Sequence, residues 1–217
     1  MPHCRARHAL VVLAATVGLA VLGGCGTPAP EASPTTTPTT ISTSPTPTRT
    51  PPPTRATPAT RLPAGDPVRV VVTGTDGTEF VDAPLIPQGL DAEGVFAPPP
   101  GVVGWYSEKG WPKPGHPGAS ILAGHINSPQ NGDDTFARLP EVTPGATISV
   151  TYDSGDTVEF EVTRSQAVPK ARTPQDDSIW DAANPRPLIR LITCDPATPI
   201  EGGHYVGNWV LWGREST

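Results

Sequence analysis

The stretch ATISVTY-DSGD-TVEFEVTRSQAV, residues 146–168, decides the fold class. Its two flanks alternate apolar and polar side chains, with Ile148, Val150 and Tyr152 on one run and Val158, Phe160 and Val162 on the other. A period of two is the spacing of side chains on one face of a β-strand, and Asp153-Ser154-Gly155-Asp156 between the runs has turn chemistry, so the segment reads as a hairpin. Outward from it, residues 68–72, 102–106, 119–123, 188–193 and 205–212 are further β-branched or aromatic runs bounded by Gly, Pro, Asn or Asp. Residues 134–139 suggest a short helix and 177–183 a single turn, but no long stretch carries an apolar period of 3.6. The expected domain is mainly β, an antiparallel barrel or sandwich.

Upstream of this domain the composition changes twice. Arg5 and Arg7 precede an uncharged apolar run over residues 9–22 that ends Leu22-Gly23-Gly24-Cys25. That run has the form of a secretory signal, and its roughly 14 residues fall short of the ~20 a spanning helix needs. Small residues before a cysteine resemble the lipobox of bacterial lipoproteins, so residues 1–24 are assigned as a signal peptide and Cys25 as a lipidated residue. An ordinary signal peptide or a short uncleaved anchor is the alternative. Residues 25–63 then collapse to Thr, Pro, Ser and Ala, a composition that buries too little apolar surface to offset its ordering entropy. This is a disordered tether, and at roughly 3.1 Å per residue some 38 residues reach on the order of 100 Å. The folded domain is expected over residues 64–217, acting outside the cytoplasm on the extracellular face of the membrane.

The 217 residues carry a formal net charge of −6, and the basic signal and tether leave the folded part more acidic still, which excludes nucleic acid as a natural partner. Phosphate-cradling and zinc-ribbon patterns are absent. Of three cysteines, Cys4 and Cys25 belong to the N-terminus, leaving Cys194 as a lone thiol in an exported domain. It closes the run Leu191-Ile192-Thr193-Cys194-Asp195, as His125 follows the run Leu122-Ala123-Gly124. A thiolate attacks a carbonyl, and an imidazole takes its proton and returns one to a leaving amine. Side chains alternate along a strand, so Arg190, Ile192 and Cys194 share one face, and Arg190 is the candidate cation for a tetrahedral oxyanion. His116, between Pro114 and Pro117, reads as a solvent-exposed loop residue, and His204 as a reserve pocket residue. A buried, inert cysteine and an ion-paired strand arginine are the plain alternatives for Cys194 and Arg190.

Together Leu122-Ala123-Gly124-His125, Thr135-Phe136-Ala137-Arg138-Leu139-Pro140-Glu141 with Pro144-Gly145, and Leu191-Ile192-Thr193-Cys194 resemble the sortase family of bacterial cell-surface cysteine transpeptidases. The resemblance extends from about Asp66 to Gly213. Gly89-Leu90-Asp91-Ala92-Glu93-Gly94 and Val103-Gly104-Trp105-Tyr106 are similar to the actinobacterial branch called class F or class E. The resemblance implies a single eight-stranded β-barrel with short helices and a groove for a Leu-Pro-x-Thr-Gly-like sorting peptide. In it Cys194 attacks the Thr carbonyl, His125 protonates the leaving amine, and a peptidoglycan-precursor or pilin amine resolves the thioacyl enzyme. It implies no cofactor or metal, and a monomer.

This chain departs from the commoner family pattern where many sortases carry an arginine on the strand after the cysteine. Here Gly207-Asn208-Trp209-Val210 stands, so Asn208 occupies the expected position and either Arg190 or Asn208 fills the oxyanion role. Same-face geometry favours Arg190 over Asn208, and over Arg214 near the chain end. A lipid at Cys25 replaces the usual uncleaved helix, its two acyl chains sufficing for stable attachment. An L,D-transpeptidase is disfavoured because its cysteine sits in a Ser-His-Gly-Cys-type run, and a papain-like peptidase because its cysteine opens a helix. A non-enzymatic wall-binding lipoprotein with a structural Cys194, or another exported thiol hydrolase, remains the alternative function.

Overall fold

A computed structural model describes residues 61–92, 94–108 and 110–216. The signal, Cys25 and the tether through residue 60 lie outside the described residues. In chain order the strands are β1 (Pro67–Thr73), β2 (Glu79–Gln88), β3 (Val103–Tyr106), β4 (Gly118–Ala123), β5 (Asn127–Ser128), β6 (Gly132–Asp133), β7 (Thr147–Tyr152), β8 (Thr157–Pro169), β9 (Pro187–Cys194), β10 (Ile200–Glu201), β11 (His204–Tyr205) and β12 (Gly207–Glu215). Eight of them close a barrel in the order β1-β2-β3-β4-β9-β12-β8-β7, and β5-β6 and β10-β11 form small hairpins.

The β7–β8 hairpin forms as its alternation requires, pairing Ile148 with Phe160 and Val150 with Val158. Ile148, Val150, Tyr152, Phe160 and Val162 point into the barrel, where they meet Val70 and Val72 of β1, Val81, Ala83 and Leu85 of β2, Leu122 of β4, and Ile189 and Leu191 of β9. Phe136 and Leu139, from the segment after β6, complete this core at zero exposure. Each such side chain removed from water contributes about 1.5–3 kcal/mol, so the interior is the main source of stability.

The barrel is mixed, not purely antiparallel. β2 runs parallel to β3, and β4 parallel to β9, with Leu122 beside Leu191 and Ala123 beside Ile192. Residues 79–88 are missing from the strands expected from sequence because Pro84 and Pro87 interrupt the run, and proline removes a ladder donor. The structure tolerates both because β1 pairs with residues 79–84 and β3 with 85–88, so each half of β2 has a ladder on one side only. The short helix expected over 134–139 appears later, as a 3-10 turn at Leu139–Glu141, and a second 3-10 turn covers Thr173–Gln175 rather than 177–183.

The wall β4-β9-β12-β8 is covered outside as well as inside. On its outer face Ile121, Val168, Val210 and Trp212 pack with Ile179, Phe96, Tyr106, Trp111, Trp180 and Ile192. The rings of Tyr106, Trp111 and Trp180 meet edge to face, with centroids 5.2–6.1 Å apart. Edge-to-face geometry is the favourable one for aromatic quadrupoles and makes this layer a second small core.

Candidate active site

Strand direction assembles the site. β4 and β9 are parallel and end at the same pole of the barrel, while β12 is antiparallel to β9 and starts there. β8 is antiparallel to β12 and ends there too. The residues at or just beyond those ends are His125, Cys194, Asn208 and Lys170, drawn from four consecutive strands of the wall. The ladder continues past the end of β4, where the Gly124 N–H donates to the Ile192 carbonyl at 3.2 Å, and so carries His125 toward the level of Cys194.

His125 is held by its neighbours. Its carbonyl accepts the Phe136 N–H at 2.9 Å, and a Cβ on Gly124 would meet Phe136 Cδ2 and Thr135 Oγ1 at 2.8 Å. Glycine is therefore needed for that segment to lie against the end of β4. His125 Nε2 lies 2.8 Å from the carbonyl oxygen of Pro98, a buried residue in the Ala97-Pro98-Pro99-Pro100 loop. A carbonyl only accepts, so Nε2 carries a proton and Nδ1 is the nitrogen left for proton exchange.

Cys194 is half-buried and is the free thiol among the described residues. Its cross-strand partner on β12 is Asn208. Asn208 is only 4% exposed, and its Nδ2 donates to Thr173 Oγ1 at 2.9 Å, tying the β8–β9 connection to the strand beside the thiol. After Cys194 the chain turns sharply. Asp195 N–H donates to the Gly207 carbonyl, Thr198 Oγ1 donates to the Asp195 carbonyl at 2.7 Å, and Gly207 N–H donates to Thr198 Oγ1. A Cβ on Gly207 would lie 2.5 Å from Thr198 Cγ2, so this turn also depends on a glycine. The Asp195 carboxylate is buried and accepts the Ala197 N–H at 3.0 Å.

Arg190 corrects the expectation from sequence. It does share the outer face with Cys194, but four residues along a strand amount to roughly 13 Å. Its guanidinium turns to backbone instead, with Nε donating to Ser178 O at 2.8 Å and Nη1 to Ile189 O at 2.8 Å and Gly213 O at 3.3 Å. Burial, with Arg164 nearby, pushes its pKa down to about 10, which leaves it charged at neutral pH. Arg190 clasps the 173–183 segment to the wall. Arg164 reinforces the clasp by lying 3.4 Å over the Trp212 ring and donating to Ser178 Oγ.

His204 lies opposite Glu201 in the β10–β11 hairpin that follows Cys194. Tyr205 of that hairpin accepts a hydrogen bond from Asn127 Nδ2 at 3.0 Å, linking the loops after the thiol and after His125. His116 precedes β4 and so sits at the other pole. It is half-buried rather than solvent-exposed, and burial lowers its pKa. Lys170 was not singled out from sequence, yet its Nζ donates to Cys194 Sγ at 3.7 Å. Its signal is cross-strand register, which no single strand displays. Among the described residues no group of three or more His, Cys, Asp or Glu side chains is placed to hold a metal ion.

A family profile described as Sortase domain matches residues 71–216, more than half of the chain. No curated protein matches significantly in sequence. Among solved structures, Group B Streptococcus Pilus Island 1 Sortase C2 is similar with a TM-score of 0.50 and 19% identity, over 72% of this chain and 77% of that one. Sortase C-1 from Actinomyces oris gives 0.48 and 22% over 70% and 76%. A lid mutant of sortase A from Corynebacterium diphtheriae gives 0.47 and 20% over 71% and 73%. At such identities the structural likeness speaks to fold alone, and the profile, matching across the barrel and through both Gly124-His125 and Thr193-Cys194, carries the assignment: this chain belongs to the sortase family of cysteine transpeptidases.

Proposed function

We propose that this chain is an extracytoplasmic sortase of the actinobacterial class F or class E kind, which cleaves a Leu-Pro-x-Thr-Gly-like sorting signal and passes the acyl group to a cell-wall or pilin amine. In this reading Cys25 carries the lipid anchor, residues 25–63 are the tether, and residues 64–217 are the catalytic domain, working as a monomer at the outer face of the membrane. The observation that carries the reading is the convergence of His125 and Cys194 at the ends of two parallel, adjacent strands.

The chemistry follows from those two groups. The Cys194 thiolate attacks the Thr carbonyl carbon, forming a C–S bond and moving the carbonyl electrons onto oxygen. As the tetrahedral centre collapses the C–N bond breaks, and the proton that leaves with the Gly amine comes from His125. An incoming amine then attacks the thioester, gives a proton back to His125 and expels the thiolate. The Pro98 carbonyl, by holding the Nε2 proton, confines both transfers to Nδ1.

Intact-mass spectrometry of the soluble domain with a panel of Leu-Pro-x-Thr-Gly-like peptides tests the reading. A thioacyl adduct cleaved after Thr, absent from Cys194→Ala, is the expected result. No adduct with any peptide, while methanethiosulfonate still labels Cys194, overturns the substrate assignment.

A further inference from the structure

We propose that Lys170 is a catalytic residue of this enzyme, the cation that faces the Cys194 thiolate and the oxyanion formed on it. The proposal rests on the acyl-transfer reading above and adds the group that reading lacks.

The site needs positive charge and does not receive it from the arginine expected to supply it. Developing negative charge on a carbonyl oxygen is stabilised by donors already aimed at it, in surroundings where solvent does not compete. Arg190 spends its donors on the carbonyls of Ser178, Ile189 and Gly213. Asn208, directly across from Cys194, is neutral and gives one amide hydrogen to Thr173.

Lys170 is built into place. Pro169 is the last residue of β8, opposite Gly207, and Val168 is opposite Asn208, which is opposite Cys194. Lys170 extends this ladder by one rung, its N–H donating to the Val206 carbonyl at 3.0 Å. Two residues beyond Val168, it presents its side chain on the same outer face as Val168 and Cys194. From there the four-carbon stem crosses the start of β12 and brings Nζ to 3.7 Å from Sγ. The neighbouring polar side chains have other partners. Asp195 accepts a backbone N–H, His125 is bound to Pro98, and among the described residues no carboxylate forms an ion pair with Lys170. A half-buried ammonium aimed at sulfur instead of an acid is in position for the anion that sulfur becomes, and the substrate oxygen is one bond removed from the carbon joined to that sulfur. Such an ammonium acts as a point charge, without the planar fork of a guanidinium, so it need not occupy an arginine's position.

The experiment separates this assignment from the choice of substrate. Cys194 is alkylated in the folded domain with anionic iodoacetate and with neutral iodoacetamide, and the ratio of the two rates reports local charge without any peptide. Lys170→Met and Lys170→Gln should lower that ratio about five-fold, the factor a unit charge at this range gives in a water-like medium, and Lys170→Arg should keep it. With a reactive peptide, single-turnover acylation in Lys170→Met should fall about 10²-fold with KM little changed. An unchanged alkylation ratio in both neutral variants, or an unchanged acylation rate, overturns the proposal. If no peptide acylates the wild type but the ratio still falls, the substrate reading fails and the charge at Cys194 stands.

Discussion

Two histidines flank β4, His116 two residues before its start and His125 two residues after its end, and the strand between them separates their fates. His125 emerges where β9 ends and β12 begins, beside a thiol. His116 emerges where β9 starts, in a loop held by the Tyr152 hydroxyl donating to the Pro114 carbonyl and by Lys113 paired with Asp66. Both sit beside a glycine, and local sequence separates them only in that His125 follows an apolar run while His116 lies between prolines. Strand direction distinguishes them completely, because a parallel neighbour delivers its reactive residue to only one end.

The sharpest way to break this contrast is at the site pole itself. His125→Ala should lower peptide acylation about 10²–10⁴-fold, the usual range for a lost acid–base group, while thermal unfolding changes little. Equal losses for His116→Ala in the same mass-spectrometric assay would erase the distinction. Arg190→Met should act through stability instead, costing about 2–4 kcal/mol in denaturant unfolding as buried carbonyls lose their donor, with the alkylation ratio at Cys194 unchanged. Gly124→Ala drives a methyl into Phe136 and Thr135, and about 1–3 kcal/mol of destabilisation should accompany a displaced His125 and slower acylation.

The smallest effect belongs to His116. Its pKa is lowered by burial, so the unfolded chain binds this proton more readily than the folded one. Its contribution is present above the ordinary histidine value of about 6.5 and is lost as pH falls below it, toward the lower folded value. His116→Gln should therefore narrow the fall in Tm between pH 7 and 5 by about 1–2 °C, and a wider fall would reverse the sign.

What could be read from the chain follows from how many faces each strand buries. β7 and the first half of β8 bury one face, so water imposes an alternation that survives in the sequence. β4 and β12 bury nearly every residue, being packed inside against the barrel core and outside against the aromatic layer, and their runs announce strands without announcing faces. β2 was hidden by prolines that only its half-and-half pairing tolerates. Cys194 and His125 could be picked as candidates because each follows an apolar run, and the parallel β4–β9 register puts both at one pole. Face-sharing correctly grouped Arg190 with Cys194, but the four-residue spacing along the strand, roughly 13 Å, and the backbone carbonyls that claim the guanidinium keep it from the thiol. Lys170 required the β8–β12–β9 register, a long-range relation that no local pattern encodes.

The hairpin turn at Asp153–Asp156 has one more meaning. Arg61 pairs with Asp156 at 3.0 Å, Ala64 N–H donates to the same carboxylate, and Asp66 N–H donates to Asp153, so the chain enters the barrel at this turn. The turn opens β8, which ends at Pro169 just before Lys170, so its 13 residues, at roughly 3.3 Å each, separate the point of entry from the thiol. Residue 61 thus lies at the pole facing away from Cys194. A protein fused ahead of residue 61 should therefore leave the thiol unobstructed, whereas an extension after Pro169 would crowd it.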